Sequence, residues 1–414
     1  MQPVEKKSRH LAVFAACWAT YVVTYLCRVN YSSAMLKLSQ EMEVSSSQLG
    51  TIGSVFFASY AIGQLFNGWI GDKVSPYKFV SIAILGTAIL NLGMSLSHEY
   101  SQLLVLWALN GYFQSMLWGP LMRILSLQFP SNRTMLVSTG MSTSMVIGYI
   151  ISWAIFGRFF LPFPWRIYFL IPSVIALFTG ALWVSSLRRN KTQQSVLSKK
   201  NGPGSLKKVL CTYRLWLVAF VCLCMGLIKE SLSLWAPLLL KNMLGLENKD
   251  SLLIAVAIPL ANFIGILVTG KLMHRKNNVK KILLMLFVFA VCCAMSLFVL
   301  YRIVPAIGVI AISTISGLMY GCNSLLLSYI PIHYGGESTV SSLVGLFDFS
   351  SYMGAALSSI LLGFAIEAQN YYALFGIWAV VLATAGILTL LLKLDEGGNI
   401  YDSSRYRTPS SESY

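Results

Sequence analysis

The chain has 414 residues, 56% of them hydrophobic and only 11% charged, with a mean hydropathy of +0.68. That balance excludes a soluble globular domain. A formal net charge of +16 would suggest nucleic acid for a soluble protein, but here Lys and Arg concentrate in particular loops, so the excess reports membrane orientation and no nucleic-acid partner is expected.

Apolar runs of about 18 to 25 residues alternate with short polar breaks, each long enough to cross a hydrocarbon core of about 30 Å. Twelve spans are predicted, at roughly 10–31, 50–71, 79–97, 102–126, 135–157, 165–186, 215–238, 251–271, 281–301, 304–330, 338–365 and 371–393. No secretory signal is expected, because MQPVEKKSRH is short and basic and the run after it is too long and aromatic for a signal core. The longest break is rich in Lys, Arg, Ser and Gly and divides the spans six and six. It predicts an N-terminal bundle at 1–186, a basic linker at 187–214, a C-terminal bundle at 215–393 and a disordered polar tail at 394–414. An even number of spans puts both termini on one side. The basic loops there, with Lys6, Lys7, Arg9, Lys280, Lys281 and the linker, outweigh Lys37, Arg158 and Arg166 opposite. Both termini are therefore expected in the cytoplasm of a cell with this protein in its plasma or bacterial inner membrane.

The first span, WATYVVTYLCRVNYSSA at 18–34, carries Arg28 about 26 Å along an apolar run that starts at Leu11. Tyr21, Thr24, Tyr25 and Arg28 recur at helical spacing, so one face presents two phenols, a hydroxyl and a guanidinium. A charge at that depth opposes insertion by about 2.5 to 3.5 kcal/mol and by default reads as functional, the alternative being a side chain near the helix end that snorkels to the headgroups. In the second half the equivalent helix, span seven, carries Lys229 deep in RLWLVAFVCLCMGLIKESLSLWAPLLL. A pseudo-two-fold axis brings equivalent helices to opposite sides of a central cavity, so the two cations are expected to face one ligand. Glu230 adjoins Lys229, but neighbours on a helix point about 100° apart and are not expected to face each other.

Other polar positions in the spans include Tyr60, Gln64 and Asn67 in span two, Trp118 in span four, Asn262 in span eight, Tyr320 and Asn323 in span ten, and Asp348 and Tyr352 in span eleven. Tyr21, Tyr25, Tyr60 and Trp118, with Gln64, are the expected ligand contacts beside the cations; the rest are expected as packing contacts. Asp348 and Glu230 are the candidates for coupling or ion pairing. Asp348 can pair with Lys229, titrate as a proton carrier or select a substrate with a positive group, and the residues do not choose among these. A guanidinium offers a planar fork to two phosphate oxygens and an ammonium a point charge opposite. Two unpaired cations are costly to return bare, which favours exchange of one anion for another. The cysteines and histidines show no metal-ligand spacing and the spans no nucleophile–base set, so no cofactor, metal or enzymatic activity is expected.

YVVTYLCRVNYSSAM (21–35), GWIGDKVSPYKF (68–79), GYFQSMLWGPLMR (111–123), KESLSLWAP (229–237) and GLFDFSSYMGAALSS (345–359) together resemble the organophosphate:inorganic phosphate antiporter family of the major facilitator superfamily, which includes glycerol-3-phosphate and hexose-phosphate transporters. The resemblance implies an all-α membrane fold of twelve helices in two six-helix bundles, and a monomer that carries a small anionic, phosphorylated solute against inorganic phosphate or a proton. It places Arg28 and Lys229 on the family's phosphate-binding pair, Tyr21, Tyr25 and Tyr60 on cavity tyrosines, and Trp118 on a matching tryptophan. Asp72, between Gly68 and Lys73, falls on the inter-span carboxylate that clamps one closed arrangement, which makes Gly68, Asp72 and Lys73 the expected gate. Lys229, Gln64, Ser144, Pro259 and Phe349 stand where the glycerol-3-phosphate pattern has Arg, Lys, His, Glu and Tyr, so the solute is expected to be another of the same class. Family members that sense a sugar phosphate rather than carry it set an alternative, as does a proton-coupled organic anion transporter. Drug exporters of the superfamily share a glycine–proline run in span five, and 135–157 contains no proline. A sugar symporter would have a carboxylate where Arg28 stands.

Overall fold

The computed structural model describes residues 3–129, 134–189, 213–276, 278–300, 305–331 and 340–392. The expected basic linker, apart from its first three residues and its last two, and the expected tail lie outside them. Every element described is helical: α1 (Pro3–Glu41), α2 (Ser46–Lys73), α3 (Pro76–Leu96), α4 (Tyr100–Gln114), α5 (Trp118–Gln128), α6 (Thr134–Ile150), α7 (Ile167–Arg189), α8 (Tyr213–Leu244), α9 (Asn248–Ala255), α10 (Ala257–Lys276), α11 (Val279–Leu300), α12 (Pro305–Ser324), α13 (Val340–Glu367) and α14 (Tyr371–Leu391). Wider π-helical turns continue α6 at Ile151–Phe156 and α12 at Leu325–Tyr329.

Local chemistry sets the boundaries. Ser45 caps α2 reciprocally: its hydroxyl accepts from the Gln48 amide at 3.2 Å and the Gln48 side chain accepts from the Ser45 amide at 2.8 Å. Pro76 opens α3 at a position where no amide hydrogen is needed. Among the described residues eleven helical stretches are long and apolar enough to cross a bilayer. The twelfth crossing is the fourth, which is split into helices of 15 and 11 residues. Pro120 lacks an amide hydrogen and its ring crowds the Met116 carbonyl. The chain therefore tightens just before it, with the Met116 and Leu117 amides bonding only three residues back at 3.2 Å. Pro259 stands in the same relation to the α9–α10 break at Val256.

The result is the twelve-helix, two-bundle arrangement. The α1–α2 and α8–α9 connections, equivalent in the two halves, each turn through a left-handed residue, Glu43 (φ 53°) and Gly245 (φ 65°). At Gly245 this allows the Leu246 amide to reach back to the Lys241 carbonyl at 3.0 Å and close the end of α8. The halves meet along α2 and α13 and along α1 and α8.

At the end holding the α1–α2 connection this seam is tight. Ser359 donates to the Gly50 carbonyl at 3.0 Å, Ser32 to the Leu234 carbonyl at 2.6 Å, and the Ser47 amide to Glu367 at 3.0 Å. Only glycine fits at position 50, since a Cβ there would stand 2.5 Å from the Ser359 carbonyl oxygen. Gly68, Asp72 and Lys73, the expected gate, close α2, and their side chains lie outside the described residues. Gly50→Val is expected to lower the thermal midpoint of the purified protein by several degrees by forcing α2 away from α13; an unchanged midpoint would contradict this close approach.

Candidate functional site

Arg28 on α1 and Lys229 on α8 point into the seam between the bundles, where they are 8% and 4% exposed. The guanidinium donates through Nη2 to Glu230 Oε2 at 3.0 Å and to the Tyr352 hydroxyl at 3.3 Å. The Lys229 ammonium lies 2.9 Å from the other oxygen, Glu230 Oε1, and donates to Asn323 Oδ1 at 2.8 Å. One carboxylate thus bridges both cations. This corrects the expectation that Lys229 and Glu230, as helix neighbours, do not face each other: the 100° between them holds for Cβ directions, and the long lysine and glutamate chains bend back into the same central space. Pairing with Lys229, one of the three roles open to Asp348, is not seen. Asp348, on α13, forms no ion pair within 4.0 Å with any described residue, although it lies within electrostatic reach of Lys229, Glu230 and Arg28.

Aromatic rings enclose the charges. The guanidinium carbon sits 5.1 to 5.9 Å from the ring centres of Tyr25, Phe56, Phe57, Tyr60 and Tyr352, and Lys229 lies 5.1 Å from Tyr320. Such contacts replace part of the lost hydration. Tyr21 stands one layer further along α1, packed on Trp118 at 4.8 Å and on Tyr25 at 5.3 Å. Gln64 is on the same helix as Tyr60 but its side chain makes no hydrogen bond to the cations. The cavity beside Arg28, bounded by Ser32, Phe56, Tyr149, Glu230 and Ser233, measures about 20 Å³, which is room for a single water. Tyr352, Asn323, Tyr149, Phe56 and Phe57 complete the site and were not among the expected ligand contacts. Phe56 could have been found four residues before Tyr60, and Tyr352 four after Asp348, since that spacing repeats one helical face.

The family profile described as Major Facilitator Superfamily matches residues 17–349. The chain belongs to the Major Facilitator Superfamily. It is a multi-pass helical membrane protein of that superfamily, and several of its curated relatives are named for phosphorylated solutes. It is 24% identical over 268 residues to the probable hexose phosphate transport protein of Chlamydia trachomatis serovar D, a match that spans 58% of this chain and 58% of that relative's length. It is 22% identical to the membrane sensor protein UhpC of Escherichia coli K12, over 93% of this chain and 91% of the relative. Among solved structures, a bacterial homologue of the human lysosomal transporter Spinster in an inward-facing, occupied conformation overlays with a TM-score of 0.69 at 13% identity, covering 92% of this chain and 96% of that one. That likeness is one of fold alone.

In this superfamily member the residue before the arginine fixes its place. The Cys27 carbonyl accepts from three side-chain amides, Asn91 on α3 at 3.3 Å and Asn110 and Gln114 on α4 at 3.1 and 3.0 Å. Asn30 extends the network to Asn91 at 2.8 Å and to the Tyr168 carbonyl at 3.1 Å. These bonds pin α1 to α3, α4 and α7 one residue from Arg28. Asn91→Leu, which keeps the number and branching of side-chain heavy atoms but offers no hydrogen bond, is expected to destabilise the protein by about 1 to 3 kcal/mol because it strands buried partners. Thermal unfolding that matches the wild type would show that the amides do not hold α1.

Proposed function

We propose that the protein carries a small anionic, phosphorylated solute, of the sugar phosphate or glycerol phosphate class, across the cell membrane by alternating access of its two bundles. The observation that carries this reading is the seat occupied by Glu230. A guanidinium from one half and an ammonium from the other already grip a pair of anionic oxygens at 3.0 and 2.9 Å. A phosphoryl group offers the same kind of oxygens with more charge and fits the guanidinium fork in two places. With about 20 Å³ beside Arg28, such a group enters only if Glu230 withdraws and the halves part, the motion a transport cycle needs. Inorganic phosphate shares the head group and is the expected counter-substrate in exchange. The basic loops favour cytoplasmic termini, and the site is complete within one chain, which favours a monomer.

A second reading, a membrane sensor for a sugar phosphate, is favoured by the likeness to UhpC over 93% of this chain. Uptake of labelled phosphate or sugar phosphate into proteoliposomes separates the two, because a sensor binds without flux.

Ligands stabilise what they bind, by about 2.7 kcal/mol at a hundred times the dissociation constant. Purified wild type is expected to gain thermal stability from inorganic phosphate, hexose phosphate and glycerol phosphate and none from uncharged sugar. Arg28→Lys keeps the charge but loses the fork, and is expected to need at least about tenfold more ligand for the same stabilisation. A near-wild-type response would contradict a two-point contact.

A further inference from the structure

Two buried cations with no carboxylate beside them would make an obligatory exchanger, since bare charges are costly to move through a low-dielectric centre. The geometry removes that premise. Arg28, Lys229 and Glu230 are the charged side chains buried among the described residues, and all three belong to one bonded group. Asp348 lies within electrostatic reach of it but forms no ion pair with it, so the carboxylate bonded to both cations is that of Glu230. Glu230 sits on the same helix as Lys229, yet its other oxygen meets Arg28 of the opposite bundle. It therefore occupies the bridging place of a substrate anion and supplies its charge.

We propose that Glu230 is a resident counter-ion that takes the anion's seat when no solute is bound, so that the carrier reorients without cargo and moves its solute in net flux as well as in exchange. This rests on the phosphorylated-anion reading above. A phosphoryl group entering the seat displaces the carboxylate, which stays within reach of the Tyr352 hydroxyl and repels the newcomer. Glu230 thus weakens anion binding while making the return stroke possible. Without it, the anion binds more tightly and the unloaded protein holds two cations with no carboxylate bonded to them, so only loaded carriers cross.

The test uses purified full-length protein in proteoliposomes with labelled inorganic phosphate, measuring uptake into phosphate-free vesicles and exchange into phosphate-loaded ones. For the wild type, net uptake is expected within about threefold of exchange. For Glu230→Gln, the ratio of net uptake to exchange is expected to fall at least about tenfold, and half-maximal thermal stabilisation to need about tenfold less phosphate. Wild-type exchange without net uptake overturns the proposal and leaves the substrate reading intact. An unchanged ratio in a folded Glu230→Gln protein does the same. If that variant does not fold, the wild-type ratio alone decides. Wild-type protein that neither binds nor moves any phosphorylated solute overturns the substrate reading, and this proposal falls with it.

Discussion

Two positive charges held in the middle of a membrane protein require an anion, and the bridge from Arg28 through Glu230 to Lys229 supplies one. Breaking a buried ion pair by removing one partner destabilises a protein by about 3 to 5 kcal/mol, because the survivor is left uncompensated. The bridge joins α1 of one bundle to α8 of the other, so the same bonds that neutralise the charges also hold the bundles together at mid-depth. Any step that separates the halves must first give each cation another partner. That requirement links occupancy of the seat to the shape of the whole molecule.

The fold answers this need with rigid support on one side and close contact on the other. The amides of α3 and α4 converge on the Cys27 carbonyl, which fixes the height at which Arg28 leaves α1. Phe56, Phe57 and Tyr60 of α2 and Tyr352 of α13 wall the guanidinium with rings, giving attraction without a competing negative charge. The glycine and serine contacts between α2 and α13 close the end that holds the α1–α2 connection. The two proline-linked breaks, before Pro120 and before Pro259, fall in helices near this centre and interrupt backbone ladders that would otherwise be continuous.

The cations were legible in the sequence because a charge inside an apolar run is so costly that it stands out without any knowledge of its neighbours. The number of crossings was legible for the same reason, since hydropathy reports composition. The split of the fourth crossing was not, although Gly119-Pro120 was there to be read, because a window average does not register one missing amide hydrogen. Glu230 escaped as a bridge because a rule about Cβ directions says little of side chains with three and four carbons to bend. Tyr352 and Asn323 were visible as polar positions, but their approach to Arg28 and Lys229 depends on how α12 and α13 pack, which no local pattern encodes.

Under the proposed function, whether the protein is a carrier or a sensor, a phosphorylated anion takes the seat between the two halves that Glu230 occupies. The most direct measurement is an experimental structure of the full-length protein with a hexose phosphate bound. The account predicts phosphoryl oxygens within about 3 Å of both Arg28 and Lys229, with Glu230 turned away from the guanidinium. A solute seated elsewhere, such as the cavity between α6 and α10 lined by Ser142, Pro259 and Asn262, with the Arg28–Glu230 pair intact, would contradict it.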